Sequence, residues 1–194
     1  MPTSTDLRFD TGRVCLDLLA TMGGSLSSDP VERLDSVERL AVWLHRTGIV
    51  PGDEPLELDP DALAEFLTLR ACLKRVVHSE LDGEPAAAHD IDQLNRTATA
   101  GPPTSRLMQA DEGTLYRRLS APPRLEELLA AVTEDAIQLL SSPDRALLRE
   151  CESPACDLVY LDASRGRRRR WCSAQICGNR HHVAAHRARK ADLP

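Results

Sequence analysis

Four cysteines near the end of the chain have the spacing of metal ligands. Cys151 and Cys156 are separated by four residues, and fifteen residues later Cys172 and Cys177 repeat that spacing. Each pair can supply two thiolates from one turn, and fifteen residues are enough for the chain to fold back and complete a tetrahedron. Four thiolates leave no position open for water, as in structural rather than catalytic zinc sites. The sequence therefore predicts one structural Zn²⁺ held by these four side chains.

Other interpretations of the cysteines are open at this stage. Three histidines follow the second pair and could compete as ligands, namely His181, His182 and His186. Thiolate ligands alone do not exclude an iron–sulfur cluster, although nothing in the sequence indicates electron transfer. Buried free thiols would not explain the pairing, and disulfides are uncommon in cytosolic proteins. Cys15 and Cys72 lie in apolar surroundings and are expected to be small buried side chains.

Basic residues flank the second cysteine pair. Five of the six positions in the segment 165–170 are arginines, namely Arg165, Arg167, Arg168, Arg169 and Arg170. A second basic group follows the last cysteine and consists of Arg180, Arg187, Arg189 and Lys190. Arginines at this density repel one another unless an anion neutralises them, and the planar guanidinium suits phosphate and guanine. The pattern indicates nucleic-acid binding; neutralisation of the thiolates and docking onto an acidic surface are the alternatives.

The elements that must position these side chains are short. Residues 158–164 and 167–173 are predicted as the strands of a hairpin, with Arg165 and Gly166 in its turn. From Asn179 onward the sequence predicts a helix. Asn is a preferred N-cap residue, so a helix cap is favoured for Asn179 over a contact with a nucleotide base. The expected unit is a treble-clef-like zinc finger built from a knuckle, a hairpin and a helix.

The first 150 residues predict helices and one further hairpin. A capping box at Asp35 and Glu38 precedes a helix that closes near Gly48. The remaining expected elements are a helix from Asp59 to Gly83, a short helix around residues 91–94, a hairpin within 105–119 and a helix over 123–140. The expected fold is mainly α with α+β character. We divide it into a helical domain over residues 1–142 and a zinc finger over residues 143–194.

Charge and hydropathy restrict the class of protein. Residues 1–150 hold 15 Lys and Arg against 26 Asp and Glu, whereas residues 151–194 hold 9 against 4. Zn²⁺ with four thiolates carries −2, which lowers the finger's +5 to about +3. The sequence shows no apolar run long enough to span a membrane, and the first residues lack the pattern of a signal peptide, so a cytoplasmic protein is expected. The sequence shows no paired carboxylates, nucleophile motif or glycine-rich phosphate loop, so we expect no enzyme.

The last segment resembles the CGNR zinc finger through Cys177-Gly178-Asn179-Arg180 and the preceding Arg170-Trp171-Cys172-Ser173. The first part resembles the ABATE domain of stress-induced transcription regulators. The stretches that carry this resemblance are residues 9–21, 34–48 and 67–83. Together the two resemblances cover nearly the whole chain. They imply a bacterial regulator of transcription that binds DNA through its basic finger. Where that finger often carries a lysine, this chain has His182, which bears little charge at neutral pH.

The leading hypothesis is a zinc-finger regulator that grips DNA phosphates with the arginine run. The candidates for contacts in a groove are Asn179, Arg180, His182 and Arg187. The acidic domain would sense a signal or mediate assembly, including assembly into a homo-oligomer. Two alternatives are an RNA- or ribosome-associated factor, for which Trp171 offers a stacking surface, and a finger that binds an acidic protein.

Overall fold

The structure is a computed structural model, and it describes residues 6–24, 26, 30–52, 54–154, 156–183 and 190. Within those residues the chain has five α-helices, three antiparallel strand pairs and a helical segment after the last cysteine, which confirms the expected α+β fold. The helices are α1 Val14–Leu19, α2 Val37–Arg46, α3 Pro60–Asp82, α4 Ala88–Ala98 and α5 Leu125–Ser141. The strands are β1 Met22–Gly23, β2 Val31–Glu32, β3 Ser105–Gln109, β4 Leu115–Leu119, β5 Leu148–Glu150 and β6 Val159–Leu161. None of the described helices is both long and apolar enough to cross a membrane.

The helix boundaries follow from capping chemistry. Asp59 accepts a hydrogen bond from the backbone N–H of Ala62 at 2.8 Å, and Pro60 occupies the first turn of α3. Gly83 ends α3 with φ of 71°, a left-handed conformation that glycine adopts without strain. The N-cap of α2 is Ser36, whose hydroxyl accepts from Arg39 N–H at 3.3 Å. The cap predicted at Asp35 is therefore wrong by one residue, and the predicted capping box does not form, because position N3 is Arg39 rather than an acidic residue.

The core lies where α3 and α5 meet the shorter helices. Helix α5 contacts α1, α3 and α4, and α3 also contacts α2. Trp43 of α2 and Phe66 of α3 are fully buried and meet edge to face, with ring centroids 6.1 Å apart. The predicted hairpin at 105–119 is present as β3 and β4, which pair over five residues and are exposed apart from Leu119.

The strand pair β5–β6 joins the last segment to the helical core. Leu148 of β5 and Val159 of β6 are buried in the same apolar cluster as α3 and α5. Leu161 N–H donates to the carbonyl oxygen of Thr11 at 2.8 Å. Gly12 makes this approach possible, because a Cβ there would lie 3.1 Å from the Cβ of Leu161 and its φ is 98°.

The hairpin predicted over 158–164 and 167–173 is wrong in its pairing. Residues 159–161 pair with 148–150, and residues 167–173 form no strand. Only the turn is present, closed by a hydrogen bond from Arg167 N–H to the Ser164 carbonyl oxygen at 3.0 Å. Arg167 has φ of 44°, so the arginine run leaves the turn in a conformation that a strand does not have.

Candidate metal centre

The structure brings the four predicted cysteines together. The Sγ atoms of Cys151, Cys156, Cys172 and Cys177 all lie within 4.8 Å of one another, and all six cysteines of the chain are free thiols. Cys172 Sγ is 3.8 Å from Cys156 Sγ and 3.5 Å from Cys177 Sγ. Four sulfurs at about 2.3 Å from Zn²⁺ in a tetrahedron would be about 3.8 Å apart. The four sulfurs therefore lie close enough together to hold one zinc ion.

Three short pieces of backbone deliver the sulfurs. Cys151 follows β5 and donates its N–H to the Leu158 carbonyl oxygen at 3.0 Å. The N–H of Cys156 donates to the Ser153 carbonyl oxygen at 2.9 Å, which closes a turn. Cys172 N–H points at Cys151 Sγ, 3.4 Å away, as a donor to a thiolate. Cys177 lies in a π-helical turn, Ala174–Gly178, which continues as helical residues 179–183.

The sulfur cluster is mostly buried, and its thiols act on one another's pKa. Cys151, Cys172 and Cys177 are buried and Cys156 is half-buried. The hydrogen bond between Cys151 and Cys156 lowers the pKa of Cys151 and raises the pKa of Cys156. Without a cation the four sulfurs therefore share protons, because adjacent thiolates repel one another. A divalent cation removes that repulsion, which is how zinc keeps all four as ligands.

Two arginines of the helical domain face this cluster. The guanidinium of Arg8 donates to Cys172 Sγ at 3.2 Å and to the Cys172 carbonyl oxygen at 3.0 Å. Burial lowers the pKa of Arg8, but Asp10 and Cys172 outweigh that effect, so its pKa is raised and the group is charged. Arg33 also lies near the cluster: burial and Arg8 lower its pKa, whereas Cys156 raises it. Sequence reasoning missed both, since no local signal links residue 8 to residue 172.

The predicted arginine run divides into two groups. Arg169 is half-buried and is part of the scaffold: its guanidinium donates to the carbonyl oxygens of Trp171 and Cys172 and lies 4.3 Å from the centre of the Tyr160 ring. Tyr160 in turn donates its hydroxyl to the Arg169 carbonyl oxygen at 2.6 Å. Arg170 is exposed but pairs with Glu152 at 2.6 Å.

The remaining arginines of the finger that the structure describes are exposed and have no hydrogen bond or ion pair through their side chains. They are Arg165, Arg167, Arg168 and Arg180. Among the described residues, no acidic side chain of the helical domain pairs with any of them. Lys190 is also exposed. Arg187, Arg189 and His186 lie outside the described residues.

The predicted cap at Asn179 is wrong. Asn179 has helical dihedral angles, φ of −61° and ψ of −42°, and the N-cap of this turn is Ser173, whose hydroxyl accepts from Ile176 N–H at 3.3 Å. Asn179 and His182 are exposed instead. His181 stacks on Trp171 with ring centroids 4.8 Å apart, so neither described histidine joins the sulfur cluster.

Comparison with known families agrees with this geometry. Residues 12–143 match the family described as "ABATE: Putative stress-induced transcription regulator", and residues 147–190 match the CGNR zinc finger. The chain belongs to the ABATE family and carries a C-terminal CGNR zinc finger, whose four clustered cysteines can hold one zinc ion. A search of curated proteins found no match.

Proposed function

We propose that this protein binds DNA through the basic surface of its zinc finger and regulates transcription. One observation carries the proposal: the closed sulfur site presents Arg165, Arg167, Arg168 and Arg180 to solvent, and no acidic side chain of the described chain pairs with them. Free guanidiniums on an otherwise acidic protein attract phosphate and set the orientation of a duplex.

The division of the arginines makes the proposal specific. Arg165, Arg167 and Arg168 lie in and beside the turn at 164–167, whereas Arg169 is used to hold the finger together. Arg165, Arg167 and Arg168 should contact phosphate. Arg169 should affect DNA binding only because it stabilises the folded finger. Asn179, Arg180 and His182 lie on the exposed helical segment and are the described candidates for base contacts.

The test is duplex-DNA binding across a salt series. The variant Arg165→Ala/Arg167→Ala/Arg168→Ala should weaken binding and flatten the plot of log affinity against log salt by about one for each lost phosphate contact. Its unfolding temperature should stay close to wild type, because none of these side chains has an intramolecular partner in the described chain.

A matched control removes the same charge elsewhere. Arg46, Arg96 and Arg106 are exposed on the helical domain, and changing all three to Ala lowers the net charge equally. The control should keep most of the salt slope. Equal slopes for the two triple variants would contradict a phosphate-contacting turn. Structured RNA that outcompetes duplex DNA at equal salt would favour the RNA-binding alternative.

The case for RNA by stacking is weaker than the sequence suggested. The ring of Trp171 is half-buried: it stacks with His181, lies 5.0 Å from the guanidinium of Arg170, and packs against Gly178, where a Cβ would be 3.3 Å away. A ring with these neighbours is a structural side chain. It offers little surface for an unstacked base.

A further inference from the structure

Arg8 is held between an acid and the metal centre. One edge of its guanidinium donates to Asp10 at 2.9 and 3.0 Å, and the other edge donates to the sulfur and the carbonyl oxygen of Cys172. Its side chain is only 10% exposed. Asp10 therefore orients the guanidinium of Arg8, and Arg8 in turn donates to the metal ligand Cys172. Outer partners of metal ligands commonly act in this way.

Arg33 approaches the same centre from a second side. Its guanidinium packs on the backbone at Gly23, where any Cβ would lie 2.0 Å from Nη1. Nη1 donates to the Ala20 carbonyl oxygen at 3.3 Å, and Ala20 packs in the same cluster as the four cysteines. The buried Nε of Arg33 has no hydrogen-bond partner among the described residues.

The metal site supplies negative charge to this pair of arginines. Arg8 donates directly to Cys172 Sγ, and Arg33 donates to Ala20, which packs with the four cysteines, so both guanidiniums lie beside the sulfur cluster. Two partly buried like charges are costly unless an anion lies between them. Asp10 offsets part of the charge of Arg8, and four thiolates with one Zn²⁺, at −2, supply further negative charge on the other side.

We propose that the zinc centre is shared between the two parts of the chain: Arg8 and Arg33 of the helical domain are its counter-ions, so that zinc binding and docking of the finger form one coupled equilibrium. This goes beyond the proposed DNA binding and does not depend on it. The helical domain would thereby influence the finger through its metal. Reciprocity requires that zinc stabilise the helical domain by the same coupling free energy.

The first test is the zinc affinity of the full chain, measured by competition with a chelator of known affinity. Arg8→Met should lower the affinity by about 10- to 100-fold, the usual effect of losing an outer-shell partner, and Arg33→Met should also lower it. Arg8→Lys keeps the charge but cannot donate to both the sulfur and the carbonyl oxygen of Cys172 as Arg8 does, so its zinc affinity should fall less than that of Arg8→Met. The matched control is Arg13→Met, since the guanidinium of Arg13 pairs with Asp135 of α5.

The second test follows the helical domain alone. The chain has two tryptophans, so Trp171→Phe leaves Trp43 in the core as the only tryptophan reporter. In that background, zinc removal should lower the unfolding temperature reported by Trp43. The drop should shrink in Arg8→Met and persist in Arg13→Met.

The outcomes separate the proposal from a general loss of folding. Far-UV circular dichroism identifies a variant that no longer folds. If Arg8→Met does not fold, the zinc affinity and the unfolding temperature are measured on Arg8→Lys instead. Zinc affinities of Arg8→Met and Arg33→Met equal to that of Arg13→Met would overturn the proposal. A zinc-dependent shift of Trp43 unchanged by Arg8→Met would overturn it as well.

Discussion

Asp162 is the residue that fixes the arginine-bearing turn. It is buried and accepts hydrogen bonds from the Ser164 hydroxyl at 2.5 Å, from Ser164 N–H at 3.1 Å and from Arg169 N–H at 3.0 Å. The bonds from Ser164 and Arg169 lower the pKa of this carboxyl. A carboxyl whose pKa is lowered by folding stabilises the folded state above its ordinary pKa of about 4. That contribution is lost as the pH falls through the lower folded value.

Asp162→Asn should loosen the turn without removing any charge that faces DNA. An amide keeps one acceptor oxygen but turns an NH₂ group toward the N–H of Arg169 or Ser164, so one donor is left unpaired. We expect faster hydrogen exchange at the Arg169 amide and a lower unfolding temperature at pH 7.

The difference between variant and wild type should diminish as the pH falls from about 4 through the lower folded pKa, where the wild-type carboxyl also becomes protonated. Asp144→Asn, at an exposed aspartate outside the finger's turn, is the control for charge. An Arg169 amide as protected in Asp162→Asn as in wild type would show that the turn does not depend on this side chain.

At the scale of elements, the π-helical turn Ala174–Gly178 joins the metal centre to the exposed helical segment. It carries Cys177 and is capped by Ser173, and its Gly178 N–H bonds back to the Ser173 carbonyl oxygen at 3.0 Å. Glycine at position 178 lets the Trp171 ring pack against the backbone, since a Cβ there would lie 3.3 Å from the ring. Its backbone angles do not themselves require glycine. The position of the Cys177 sulfur therefore determines where Asn179 and Arg180 lie.

Loss of this cap should affect both folding and metal retention. Ser173→Ala should lower the free energy of unfolding by about 1 kcal/mol, the usual cost of a lost N-cap, and should speed zinc transfer to a chelator. Ser36→Ala is a matched control, because Ser36 caps α2 with the same 3.3 Å hydrogen bond. It should cost similar stability and leave the rate of zinc transfer unchanged. Equal rates in the two variants would contradict a link between this turn and the site.

Elements with strong local signals could be predicted, and those determined by tertiary contacts could not. Asp59-Pro60 and Gly83 define α3 from the sequence alone, and the cysteine spacing identified the metal centre. Strands β5 and β6 have three residues each and owe their pairing to Leu148 and Val159 in the helical core. The run Arg167–Arg170 has no apolar alternation, so nothing local distinguished a strand from the irregular path it takes.

At the scale of the whole molecule, the finger is not an independent unit. Leu148 and Val159 lie in the helical core, Lys74 of α3 pairs with Asp157 at 2.6 Å, and Arg8 reaches Cys172. The acidic and basic parts of the chain thus share a core while keeping their opposite charges. A short, charged segment commonly needs its metal in order to fold, but here that dependence should hold for only part of the finger.

Zinc removal should therefore loosen the finger unevenly. We expect hydrogen exchange to accelerate over residues 162–183, which depend on the sulfurs for their position. The amides of β5 and β6 should stay protected, because the helical core holds them. Exchange followed by mass spectrometry, before and after chelation, measures this. Loss of protection in β5 and β6 together with 162–183 would show that the finger folds as one metal-dependent unit.

The central claim is that a zinc-built surface binds DNA, and its most direct test is the metal dependence of that binding. Duplex-DNA anisotropy at low salt should be measured for the zinc-loaded chain, after chelation, and after zinc is restored. The account predicts one zinc per chain, salt-sensitive binding that chelation abolishes, and full recovery when zinc is returned. A zinc-loaded chain with no affinity for DNA at the lowest salt, or binding that chelation leaves intact, would contradict it.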